Sequence, residues 1–116
     1  MNLLLRIIVT ALLVLLISNF LPGVIVEGFA TSLIVAIVLG LLNLFVKPVL
    51  VIFTLPVTIL TLGLFLLVIN AIIILICSEL VSGFRVDNFW IALLFSVILS
   101  VLQSVFFGIT NNKSAN

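Results

Sequence analysis

An all-α membrane fold, a four-helix bundle built from two similar helical hairpins, is what this sequence predicts. Three observations carry the prediction. Of 116 residues, 66% are hydrophobic, with four Lys/Arg, three Asp/Glu and no His. The uncharged runs between those charges have the length of a bilayer crossing, and the two halves align on each other without a gap. An ordinary soluble domain is about 45–50% apolar and about 25% charged, and one of this size exposes most of its residues. A mean hydropathy of +1.76 therefore excludes a soluble enzyme and a disordered chain. A nucleic-acid binder would need a basic surface that this chain lacks.

The charges are Arg6, Glu27, Lys47, Glu79, Arg85, Asp87 and Lys113. They bound apolar runs at 7–26, 28–46, 48–78 and 88–112. A helix rises about 1.5 Å per residue, so roughly 20 residues cross the ~30 Å hydrocarbon core. Each run holds one crossing and none holds two. The four spans are expected near 3–21, 29–46, 57–79 and 88–109, in one integral membrane domain over 1–116. Runs such as Leu12–Ile17 and Ile72–Ile76 do not alternate as barrel strands must, and four strands are too few to close. The first run is read as a span and not a cleaved signal, because no small-x-small site precedes Pro22.

Arg6, Lys47 and Lys113 fall on one side of such a bundle, while Glu27, Glu79, Arg85 and Asp87 fall on the other. The positive-inside rule then places both termini in the cytoplasm. Cys77 stands alone and reads as an apolar filler.

At an offset of 60 residues, Ala11, Ser18, Gly23 and Phe29 meet Ala71, Ser78, Gly83 and Phe89, and Asn43 meets Gln103. The segment Val26-Glu27-Gly28-Phe29 meets Val86-Asp87-Asn88-Phe89. Each unit is span, short outer turn, span, and both begin on the same side: a parallel repeat. Small residues at i, i+4 let membrane helices approach closely. The expected packing positions are Ala36 and Gly40 in span two, with Ser96 and Ser100 at the equivalent sites of span four, extended by Ser104. Thr10 and Ser18 in span one, and Asn70 and Ser78 in span three, mark the inward faces there. Asn70 lies mid-span and needs a partner, for which Thr10 and Asn43 are candidates.

Residues 43–63 break the pattern. Pro48 lacks a donor and disfavours helix at Lys47, so span two should end or kink there, with Pro48 equally suited to open a short new helix. The piece 47–56, closed by Pro56, should lie at the interface or re-enter the bilayer. Lys47 sits one turn after Asn43 and can snorkel to the headgroups. As an embedded site or pore lining, the candidates are Asn43, Lys47, Thr54, Thr58 and Asn70, with Pro48, Pro56 and Gly63 shaping the segment. As pure structure, Lys47 is an interfacial anchor.

The stretch from Leu39-Gly40-Leu41-Leu42-Asn43 through Lys47-Pro48, Thr54-Leu55-Pro56, Thr61-Leu62-Gly63 and Ile69-Asn70-Ala71 resembles a family of small bacterial membrane proteins, the four-span phage holin family of superfamily IV. The resemblance covers nearly the whole chain. It implies a multi-pass protein of the bacterial inner membrane with four helices, and it brings no catalytic or cofactor-binding residues. The family name implies hole formation for endolysin release.

Three functions compete on this reading: an oligomerising permeabiliser, an envelope scaffold that binds other membrane proteins, and a small ion or solute carrier. The expected partners are the lipid bilayer and either further copies or other membrane proteins, with no nucleic acid. No cofactor or metal is expected, since no His/Cys cluster exists. No nucleophile–base pair points to catalysis.

Overall fold

A computed structural model describes residues 2–115, and side-chain surroundings through Gly108. Lys113, one of the three charges used for orientation, therefore has its side chain outside the described residues. The chain runs α1 (Leu3–Phe20), β1 (Val24–Val26), α2 (Phe29–Phe53), α3 (Leu55–Leu60), α4 (Phe65–Leu80), β2 (Phe84–Val86) and α5 (Phe89–Ala115). Helices dominate, as the unbroken apolar runs require. α1, α2 and the stretch Phe89–Gly108 of α5 are long and apolar enough to cross a membrane, whereas α4 has 16 residues.

α1 packs on α2 and α5, and α4 packs on the same two helices. Their shared core includes Val14, Ile17, Val35, Ile73, Ile74, Cys77, Ala92 and Phe95, all buried. Phe84 closes one end against Phe95, ring centroids 5.8 Å apart.

Two features depart from the sequence reading at the hairpin turns and in the 47–56 segment. The outer turns are not plain: β1 and β2 pair antiparallel, with Val24 opposite Val86, Ile25 opposite Arg85 and Val26 opposite Phe84. The Glu27 amide donates to the Gly83 carbonyl and the Asp87 amide to the Gly23 carbonyl, both at 2.9 Å. Those donors stand 60 residues apart, and so do those acceptors. Gly23 and Gly83 have φ +94° and +88°. A Cβ on Gly83 would lie 3.0 Å from Glu27 Oε2 and 3.2 Å from Glu27 Cβ, so the turn needs glycine there.

The second departure is that α2 does not end at Lys47 but runs through Pro48 to Phe53. Proline removes one bond to the carbonyl four residues back. Ending the helix would instead leave about four carbonyls and then about four amides without intrahelical partners, which is the worse loss in an apolar medium. The break falls at Thr54, where Pro56 follows at the start of α3 and cannot supply the next donor. A second break separates α3 from α4, so the expected continuous span 57–79 is interrupted at 61–64. There the Gly63 amide donates to the Thr58 carbonyl at 2.8 Å and the Leu62 amide to the Ile59 carbonyl at 3.1 Å, a Schellman closure of α3.

Connectivity puts the paired strands at one end of the helices. The first turn of α1, the last turns of α5 and the whole of α3 lie at the other.

Candidate functional site

One group of helix polar residues lies toward the end opposite the paired strands. On α2, Asn43 and Lys47 are one turn apart and share a face. On α5, Ser96, Ser100 and Gln103 follow the same spacing, and α4 contributes Asn70. These six side chains line one cavity of ≈ 140 Å³ between α2, α4 and α5, walled by Leu39, Ile73, Ile74 and Leu99. Asn43, Gln103 and Leu39 also line an adjoining cleft of ≈ 550 Å³, which α1 borders with Arg6 and Thr10.

Gln103 Nε2 donates to Thr10 Oγ1 at 3.0 Å and ties α5 to α1. The Arg6 guanidinium lies 4.8 Å from the centroid of the Phe107 ring, a distance at which the ring face attracts the cation. Ser96 is buried and its hydroxyl donates to the Leu93 carbonyl at 2.9 Å. Asn43, Lys47, Asn70 and Ser100 make no side-chain hydrogen bond or ion pair with another described residue. Asn43 and Ser100 are exposed, while Lys47 and Asn70 are partly so.

The sequence-predicted positions divide accordingly. Asn43, Lys47 and Asn70 come together in one cavity. Thr54 and Thr58 do not join them, because each hydroxyl donates to its own helix, Thr54 to the Leu50 carbonyl at 2.7 Å and Thr58 to the Thr54 carbonyl at 3.1 Å. Pro48, Pro56 and Gly63 shape α2, α3 and the turn after it. Of the packing positions, Ala36 and Ser96 are buried, but Gly40 and Ser100 are exposed. A Cβ on Gly40 would meet nothing within 4 Å, so Gly40 mediates no close helix approach within one chain. Thr10 bonds Gln103 and not Asn70. Arg6 and Gln103 were missed as site residues, although for Gln103 the offset of 60 carried a signal. Gln103 is the counterpart of Asn43, as Thr10 is of Asn70.

At the strand end a second, open cavity of ≈ 420 Å³ is lined by Glu27, Glu79 and Arg85 among others. Among the described residues no three His, Cys, Asp or Glu side chains group as metal ligands do.

The comparisons with known proteins agree with this membrane architecture. Residues 1–105 match the family described as Mycobacterial 4 TMS phage holin, superfamily IV. The chain is 43% identical over 98 residues to the uncharacterized membrane protein YvlD of Bacillus subtilis (strain 168), covering 84% of this chain and 82% of that protein. It is 44% identical over 81 residues to the uncharacterized protein SCO3922 of Streptomyces coelicolor, covering 66% of this chain and 65% of that one. No solved structure matches. With several apolar helices and a family match over nearly its whole length, this chain is a membrane protein of the superfamily IV phage holin family.

Proposed function

We propose that the protein lies in the bacterial inner membrane with both termini in the cytoplasm, and that several copies associate there to permeabilise the membrane. Each copy is a bundle of two repeated hairpins related by an approximate two-fold axis along the membrane normal. The pairing of β1 with β2, and of donors and acceptors 60 residues apart, supports that symmetry.

The observation that carries the permeabilising reading is the stripe Gly40, Asn43 and Ser100, small or polar yet exposed on the helices. Polar groups facing hydrocarbon are costly, and small ones let a second backbone approach. Further copies meeting at this stripe bury it or turn it toward a shared aqueous lumen. Within one chain the core beside Phe84 and Phe95 is buried and apolar.

Induced expression in a bacterium should collapse the membrane potential, read with a potential-sensitive dye, and should permit lysis when an endolysin is supplied. Gly40→Leu should blunt both effects at equal membrane levels. Normal growth and an unchanged potential at high levels of the wild-type chain contradict the proposal.

A scaffold role has one observation in its favour: α3 is apolar and none of its residues is buried. Crosslinking in native membranes that recovers only self-complexes counts against it.

A further inference from the structure

We propose that the cavity between α2, α4 and α5 is a binding site for a phosphate group, carried either on a lipid headgroup or as a free oxoanion. The site is lined by a single chain and shares Asn43 and Ser100 with the stripe named above, and binding to the detergent-solubilised chain is measured separately from permeabilisation.

Charge decides the sign of the ligand. Lys47 lines the cavity, and Arg6 borders the cleft that shares Asn43 and Gln103 with it. The three carboxylates are at the other end of the helices: Glu27 stands beside Gly83, Asp87 beside Gly23, and Glu79 lines the strand-end cavity. Among the described residues neither Lys47 nor Arg6 is in an ion pair. Among the described residues that line the cavity a divalent cation finds no carboxylate, whereas an anion meets the Lys47 ammonium, with the Arg6 guanidinium in the adjoining cleft.

Hydrogen bonding decides the chemistry. The amides of Asn43 and Asn70, the Ser100 hydroxyl and the Lys47 ammonium are all donors, and none is engaged with another described residue. Converging donors around one ammonium suit the several acceptor oxygens of a phosphate, and charge-assisted bonds of this kind are the strong ones. The space fits as well. A cavity of ≈ 140 Å³ far exceeds the ~10–15 Å³ that one water needs, and it accommodates a tetrahedral oxoanion. Depth also agrees: Lys47 is six residues before the end of α2, or about 9 Å along the axis, within reach of the headgroup layer.

The test uses the full chain in dodecyl maltoside, titrated calorimetrically with inorganic phosphate, with dihexanoyl phosphatidic acid, and with the matching diacylglycerol. The expected result is saturable binding, one per chain, of at least one phosphate compound and none of diacylglycerol. Binding of inorganic phosphate identifies a free oxoanion as sufficient; binding of the phosphatidic acid alone identifies a lipid headgroup. Lys47→Gln should weaken the affinity about tenfold, the loss of one charge-assisted bond, and Lys47→Arg should restore most of it. Should the glutamine variant not fold, Asn43→Asp, which places a carboxylate in the cavity, should abolish binding. Absence of saturable binding by either phosphate compound overturns the proposal, and so does an affinity unchanged in folded Lys47→Gln.

Discussion

Leu62 holds the left-handed position that closes α3, with φ +58°, where a Schellman closure ordinarily has glycine. A side chain in that region costs about 1–2 kcal/mol, while glycine would cost about 0.5–1 kcal/mol of extra chain entropy. Leu62 is 94% exposed, so it gives up little packing within the chain. Leu62→Gly should therefore stabilise the protein by about 0.5–1 kcal/mol, the difference between those two terms. Gly83→Ala should act in the opposite sense. It forces a Cβ into the left-handed region and to within 3.2 Å of Thr31 Oγ1, a loss of about 1–3 kcal/mol. Thermal unfolding in detergent should move the midpoint up for the first variant and down for the second.

The seam between α2 and α4 makes a prediction at the level of the elements. Cys77 is fully buried and its thiol donates to the Val35 carbonyl on α2 at 3.9 Å. Maleimide should label it slowly in the folded protein and rapidly once the helices separate, so that labelling follows unfolding. Fast labelling of the folded chain would contradict the seam. The long apolar runs made the existence of the helices legible in sequence, because sparse charges such as Glu27 and Lys47 delimit them. The strands were not legible. Three residues such as Val24–Val26 have no period to read, and only pairing with Phe84–Val86 makes them strands. Of the two outcomes expected at Pro48, an end or a kink, the helix does not end there, because the cost of proline is local whereas the cost of ending a helix in an apolar medium is counted over a whole turn. The candidate site was half legible. Asn43, Lys47 and Asn70 stand out as polar residues in apolar runs. Thr54 and Thr58 stand out equally, but a hydroxyl can satisfy itself on its own helix and an amide of asparagine reaches outward.

At the scale of the whole molecule, the distribution of charge and the connectivity make one statement. Arg6 and Lys47 are at the end bearing the termini, and Glu27, Glu79, Arg85 and Asp87 are at the strand end. If that end faces outward, the chain crosses the membrane four times, including through α4, whose 16 residues reach only about 24 Å. A span that short is accommodated by local thinning of the bilayer. Impermeant maleimide applied to intact cells, with single cysteines introduced into a Cys77→Ser background, measures this directly. Arg85→Cys should be labelled from outside, whereas Asn2→Cys and Lys47→Cys should be labelled only after permeabilisation. Labelling of Lys47→Cys in intact cells would contradict the account.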